Sequence, residues 1–200
     1  MRSANHAWKS FWGAAAAVIL LTAATARSGA APPEPAVSPA GDVVNGTWQH
    51  HKVTFTYIGF TALFTCSGLE DHVRQILVHL GARKDAKVSA TGCPGPIDSP
   101  SGSAWVDADF YSIAPTDDLS APDVVKAHWT TLQVSPRRPQ FMGGGDCELM
   151  QGMKDLITKN FALRNVEYNT SCFPHQVSIA GYELKGQALR AVPEPSAVGG

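Results

Sequence analysis

The sequence predicts an α+β fold in which an antiparallel sheet packs against two helices and two disulfides crosslink the chain. Three observations support this fold class. Segments of alternating apolar residues, rich in β-branched and aromatic types, predict strands. Two other segments carry a single apolar stripe at helical spacing. The order strand, cysteine, helix, strand, cysteine, strand occurs twice, in residues 47–115 and 123–191, which predicts two β-α-β-β pseudo-repeats with ferredoxin-like elements.

The first 26 residues are typical of a secretory signal peptide. Two basic residues precede a short apolar run at residues 11–24, and Ala24-Thr25-Ala26 is a cleavage site of small residues. Cleavage after Ala30 or Ala31 also fits the pattern. A membrane anchor is the alternative, but the run is shorter than the roughly 20 apolar residues of a spanning helix. No other stretch approaches that length, so we expect a periplasmic or secreted protein without membrane insertion after cleavage.

Both ends of the remaining chain are predicted to be disordered. Residues 27–46 hold four prolines among Ala, Ser and Gly, and residues 192–200 form a tail rich in Pro and Gly. One folded domain is left, residues 47–191, which is long enough to bury a single core. Two of the 16 basic residues and none of the 17 acidic residues lie in residues 1–26, so the rest carries 14 against 17. This balance argues against nucleic acid or an anionic membrane as a partner.

Each element of the first unit has its own signal. Residues 53–60 alternate and predict a strand with a bend near Gly59. A helix follows, with Ser67 as its N-cap, Glu70 completing a capping box and Gly81 as the C-terminal stop. Residues 86–90 and 104–113 predict two further strands. The apolar stripe of the helix consists of Leu69, Val73, Ile76, Leu77 and Leu80.

The second unit repeats this layout. Residues 128–134 predict a strand, and an offset of 80 places Leu69 on Leu149 and Val73 on Met153 in a second helix. Asp146 is the expected N-cap of that helix. Past the second cysteine of each unit the offset becomes 71, so that Tyr111 meets Tyr182.

The same layout predicts how the four cysteines pair. In an exported protein four cysteines favour two disulfides over a metal site. A helix of ~13 residues rises ~20 Å, and an antiparallel strand of ~6 residues returns over a similar ~20 Å. The cysteine at the end of each strand therefore comes back beside the cysteine at the start of each helix. Of three possible connectivities, we expect Cys66–Cys93 and Cys147–Cys172.

Three residues are candidates for catalysis. Asp107 and Asp109 share one face of a predicted strand and could act as paired carboxylates, although a solvated sheet face is the simpler explanation. His175 follows Cys172 in an unusual run in which Pro174 could be cis. An exported hydrolase would use His175 with Asp107 or Asp109. The chain has no Gly-x-Ser-x-Gly motif, and no free cysteine remains if both disulfides form.

Metal binding is a further alternative. His50 and His51 could bind a divalent ion, and Met142 could suit copper(I). A solvated pair before a strand and a methionine that fills the core explain the same residues without a metal. His72 and His79 lie seven residues apart, lack the spacing of zinc ligands, and are expected to be surface histidines. We therefore assign no metal and no cofactor.

Six short runs resemble those of an uncharacterised family of small secreted bacterial proteins with no assigned function. The resemblance covers most of residues 50–186. It implies export and a single domain, and it brings no activity, cofactor or catalytic residue. The runs are Tyr57-Ile-Gly-Phe-Thr61, Cys66-Ser-Gly-Leu-Glu-Asp-His-Val-Arg74, Ala90-Thr-Gly-Cys93, Pro136-Arg-Arg-Pro139, Gly145-Asp-Cys-Glu-Leu149 and Cys172-Phe-Pro-His-Gln176.

The function favoured by the sequence is a non-catalytic binding or interaction module, exported and stapled by two disulfides. Its partner is an unidentified envelope or extracellular protein or a small ligand. The expected contact surface is a sheet face with exposed aromatics, although these side chains fit a core equally well. They are Trp105, Trp129, Tyr111 and Tyr182. The hydrolase and a periplasmic copper or zinc handling protein are the two alternatives.

Overall fold

A computed structural model describes residues 43–93, 99–172 and 181–193 of the chain. The predicted α+β class is confirmed, with one six-stranded antiparallel sheet in the order β2-β3-β1-β4-β6-β5. The elements in chain order are β1 (Val43–Ile58), α1 (Cys66–Leu80), β2 (Lys87–Thr91), β3 (Ser103–Pro115), β4 (Val124–Val134), α2 (Cys147–Asn160), β5 (Leu163–Thr170) and β6 (Tyr182–Ala191). A short 3-10 helix, Gly144–Asp146, leads into α2.

The first strand is longer than its sequence signal. It begins at Val43, four residues inside the stretch predicted to be a disordered linker, and the predicted bend at Gly59 follows its last residue. Residues 43–47 pair with β4, and the partly buried Val44 packs in a small apolar cluster. The stretch between Pro39 and this strand holds no further proline, so nothing in residues 43–46 opposes pairing.

The sheet is staggered at its centre. β1 pairs with β3 over residues 46–58, but its pairing with β4 stops where Thr47 meets Val124. Within the described part of the chain, residues 48–58 of β1 therefore have a strand on one side only. The other side faces α2, since a Cβ atom on Gly152 would lie 3.5 Å from the Thr56 carbonyl oxygen.

One apolar core fills the space between the sheet and the helices. It contains the buried stripes of both helices together with alternate residues of β3, so both helices cover the same face of the sheet. All five predicted stripe residues of α1 are buried. On the opposite face, which we call the outer face, the described apolar residues form only a small cluster around Ile113, Ala127 and Leu189, flanked by Trp48 and Trp129.

Two predicted caps are replaced by other contacts. Thr65, not Ser67, caps α1, because its hydroxyl accepts a hydrogen bond of 2.9 Å from the Gly68 amide. The carboxylate of Glu70 accepts a hydrogen bond from the Ala90 amide of β2, which ties the helix to the sheet. Gly81 ends α1 in the left-handed conformation, at φ 111°, as predicted.

The second helix and the two α1 histidines also depart from expectation. Asp146 precedes α2, but its carboxylate accepts from the Gly143 amide and makes no side-chain cap to the helix. His72 and His79 are not surface residues: both are half-buried, and their rings pack edge-on against Phe141. The Nε2 atom of His72 lies 3.1 Å from Asp146.

The disulfides join Cys66 to Cys93 and Cys147 to Cys172, which is the pairing that the layout predicts. Each bridge ties the start of a helix to the chain that follows the next strand. Two disulfides fit a protein outside the cytoplasm, because reducing compartments keep most thiols free. In the described ranges no helix has the length and apolarity needed to cross a membrane.

Candidate functional site

The outer face of β1, β2 and β3 carries the predicted carboxylates. Strand alternation puts Trp105, Asp107, Asp109 and Tyr111 on this face, since the residues between them are buried in the core. The register brings neighbouring strands into line. Asp107 lies between Thr54 and Ser89, and Asp109 lies between Lys52 and Lys87. Asp107 and Asp109 therefore share one face, as the sequence indicates.

Six polar residues line a shallow concavity of about 400 Å³, which we call the outer patch. They are Lys52, Thr54, Lys87, Ser89, Asp107 and Asp109. Two ammonium groups, two carboxylates and two hydroxyls converge there. Such a surface can exchange several hydrogen bonds and charge contacts with one partner. Each exposed ion pair within it is worth little by itself, because solvent screens it.

Asp109 has the most developed contacts in the outer patch. Its Oδ1 lies 2.7 Å from His50 Nε2, and its Oδ2 lies 3.5 Å from Lys52 Nζ. The hydrogen bond with His50 lowers the pKa of Asp109, and the charge of Lys52 contributes in the same direction. Asp109 is thus held as an anion. Its neighbour Asp107 accepts a hydrogen bond of 2.5 Å from the Thr54 hydroxyl.

Aromatic rings border the outer patch on two sides. Trp105 is 59% exposed, and its ring lies across Gly92, where a Cβ atom would come within 2.5 Å of it. Tyr111 is half-buried between the His50 ring, at 4.8 Å, and the Arg83 guanidinium, at 3.8 Å from the ring centroid. Trp105 is therefore an open apolar surface, whereas Tyr111 is already engaged by a cation and a stacked ring.

The other two predicted surface aromatics lie elsewhere. Tyr182 is a core residue with 3% exposure, and its hydroxyl donates to the Gly143 carbonyl. Trp129 is half-buried on the outer face of the second half, where the Arg164 guanidinium lies 4.4 Å from its ring centroid. The aromatic surface next to the outer patch is therefore mainly Trp105.

The proposed catalytic residues are only partly within the described chain. His175 lies outside the described residues, so its distance to Asp107 and Asp109 is not defined here. The histidine that meets one of these two aspartates is His50, which contacts Asp109 and which the sequence offered only as a metal ligand. The Thr54 hydroxyl donates its hydrogen to the Asp107 carboxylate, whereas a nucleophilic hydroxyl donates to its general base.

The structure separates the two adjacent histidines. His50 stacks on Tyr111 on the outer face, whereas His51 packs against Phe110 on the core side and contacts the Ser112 hydroxyl at 2.9 Å. Neighbouring residues of a strand point to opposite faces, so these rings do not converge on one ion. Met142 is 2% exposed, inside the core. Within residues 43–93, 99–172 and 181–193, no three His, Cys, Asp or Glu side chains are grouped to hold a metal.

Comparisons with protein-family models, with curated proteins and with solved structures found no match to this chain. The resemblance to small secreted bacterial proteins therefore stays a prediction.

Proposed function

We propose that the chain is an exported binding module without catalytic activity, and that it contacts its partner through the outer patch and Trp105. The observation that carries this proposal is the exposed indole of Trp105 beside a concavity of paired charges. The helices cover only the opposite face, which leaves these groups accessible in the described structure. Exposed tryptophan next to polar rim groups is the composition of many protein contact surfaces.

The proposal of export draws on two independent features. The first 26 residues have the pattern of a signal peptide, and the folded chain carries two disulfides. Mass spectrometry of the processed protein should find its N-terminus directly after Ala26, Ala30 or Ala31. A chain that keeps Met1 and stays in the cytoplasmic fraction would contradict export to the periplasm or medium.

We also propose that the two halves descend from one duplicated β-α-β-β unit. In each half the third strand lies between the first two, as β2-β3-β1 and β4-β6-β5, which is the arrangement of a ferredoxin-like split βαβ element. A stacked pair supports the duplication further. Arg83 lies over Trp48, and Arg164 lies over Trp129, at the same sequence offset of 81.

The binding proposal can be tested by site-specific photocrosslinking in cells. Thr91 lies on the edge strand β2 and pairs with Trp105 of β3. A benzoylphenylalanine in place of Thr91 should crosslink one discrete partner. The same group at Val166, which is 38% exposed on β5, is the matched control and should not. Adding Trp105→Ala to the Thr91 probe should abolish the crosslink. Equal crosslinking from both positions, or no effect of Trp105→Ala, would refute this surface.

A hydrolase is the second candidate, and one observation favours it. The Asp109 carboxylate orients His50 at 2.7 Å, which is how an acid orients a general base. If the chain hydrolyses a substrate, Asp109→Asn should reduce kcat much more than Asp107→Asn. Equal effects of the two substitutions would assign both aspartates to binding.

A further inference from the structure

A second concavity, of about 260 Å³, opens between the end of β1 and the first turns of α2. We call it the Glu148 cleft. Its walls include Thr56 and Ile58 of β1, and its floor includes Glu148, Gln151 and Gly152 of α2. It exists because β1 extends past its pairing with β4, so that the helix and not a strand lies beside Thr56.

A carboxylate is unusual at so buried a position, and Glu148 is only 8% exposed. Its Oε2 accepts three hydrogen bonds, from the Phe60 amide at 2.9 Å, the Thr61 amide at 3.1 Å and the Thr61 hydroxyl at 2.9 Å. Its Oε1 is buried and has no hydrogen-bond donor in the described structure. Leaving such an atom unpaired is unfavourable, and more so for a charged group.

The charge of Glu148 is not balanced within the cleft. Among the described residues that line it, only Glu148 has an ionisable side chain, because Cys172 is bonded in a disulfide. The neighbouring carboxylate, Asp146, accepts its hydrogen bond from the Gly143 amide, outside the cleft lining. The cleft is therefore electronegative and complements a cation rather than an anion.

Two apolar side chains, Ile58 and Phe60, line part of the cleft. Ile58 is 55% exposed and Phe60 is 51% exposed, although both lie beside a buried carboxylate. Gly152 contributes no side chain to the floor, which leaves room for a narrow group. An apolar wall above a buried carboxylate suits a ligand with an aliphatic stem and a terminal positive charge.

We propose that the Glu148 cleft binds a primary alkylammonium ion. The ammonium donates to Glu148 Oε1, and the alkyl stem packs against Ile58 and Phe60. The side chains of Ile58 and Gln151 are exposed, so they change rotamer on the ps–ns timescale and admit the ligand. This site is separate from the outer patch, so the alkylammonium proposal can be confirmed or refuted independently of the proposed binding function.

Two-dimensional NMR of the disulfide-bonded protein tests the proposal directly. The probe is n-butylammonium, and the reporters are the Phe60 and Thr61 amides, which donate to the same carboxylate. Their signals should move saturably with n-butylammonium and should not move with n-butanol, which has the same stem without the charge. No saturable shift, or an equal response to n-butanol, would overturn the proposal.

Two substitutions separate the site from general effects. Glu148→Gln keeps an acceptor for the loop amides but replaces Oε1 with an amide donor, so affinity should fall at least about tenfold. Glu167→Gln removes an equal charge on the exposed face of β5 and should leave affinity unchanged. Equal affinity of Glu148→Gln and wild type, or equal losses in both variants, would refute the role of Glu148.

A variant that supplies the ligand covalently covers the case in which Glu148→Gln does not fold. Ile58→Lys places an ammonium on the cleft wall, where it should satisfy Oε1, raise the melting temperature and abolish n-butylammonium binding. Ile58→Met is the matched neutral stem and should retain binding. If Ile58→Lys binds n-butylammonium as well as Ile58→Met does, the cleft is not the site.

Discussion

Removing the Cys66–Cys93 bridge is the sharpest test of how the fold is held together. The bridge spans 27 residues of sequence and joins the start of α1 to the chain after β2. Closing a loop of this length removes about 12 cal/mol/K of entropy from the unfolded chain, which is about 3.5 kcal/mol at 25 °C. The double variant Cys66→Ala/Cys93→Ala should therefore lose about 3.5 kcal/mol of unfolding free energy.

The second bridge is the natural control, because its span of 25 residues predicts nearly the same entropic term. Cys147 is only 3% exposed, whereas Cys66 is half-buried. The double variant Cys147→Ala/Cys172→Ala should consequently lose somewhat more unfolding free energy, since it also leaves a small void in the core. For a domain of this size each kcal/mol of unfolding free energy corresponds to about 2–4 °C in melting temperature. The Cys66→Ala/Cys93→Ala variant should therefore melt about 7–14 °C below wild type.

Urea unfolding followed by circular dichroism measures both differences, and non-reducing peptide mapping verifies the pairing. Losses below about 1 kcal/mol for both variants would show that the unfolded chain is already compact, so that the loop-entropy reasoning does not apply. A peptide linking Cys66 or Cys93 to either cysteine of the second half would refute the local pairing.

Three further predictions follow from the local geometry. Gly46→Ala would bring a Cβ atom within 2.4 Å of an Ile113 methyl, so it should lower the melting temperature by several degrees, which calorimetry would detect; no change would place residues 43–46 outside the sheet. Thr65→Ala should cost about 1 kcal/mol in urea unfolding and Ser67→Ala clearly less, because Thr65 caps α1; the reverse order would contradict the observed cap. Burial, together with the positive charge of a neighbouring arginine, lowers the pKa of His79 below its ordinary value of 6.5. The unfolded state therefore takes up more protons, so stability should fall as the pH drops below about 6.5. Melting curves at pH 7.5 and 5 check this, because wild type and His79→Gln should converge at acid pH only if the pKa of His79 is lowered.

Local signals predicted the helices and disulfides well. The stripe of α1 and its stop at Gly81 depend on residues a few positions apart, so spacing alone is informative. The disulfide pairing followed from the lengths of one helix and one strand, which are also local quantities. The caps were less reliable: both Thr65 and Ser67 are capping residue types, and only the backbone geometry decides which of them faces the first amides.

Strand register was beyond the reach of the sequence, and the candidate site depends on it. His50 and Asp109 are 59 positions apart, and nothing local indicates that they are opposed across β1 and β3. The sequence therefore offered His175 as the partner of Asp109 and His50 only as a candidate metal ligand. Strand alternation alone could have excluded one metal ion shared by His50 and His51, once residue 50 was placed inside a strand.

The stagger between β1 and β4 links the fold to the proposed alkylammonium site. If the two strands paired along their full length, a strand would occupy the edge of β1 beside Thr56, and Glu148 of α2 could not reach the Phe60 and Thr61 amides. The overlap of the two strands is confined to residues 43–47 of β1, within which Gly46 allows a close approach to Ile113. The part of β1 that the sequence assigned to a linker therefore fixes the register, and the register leaves the Glu148 cleft open.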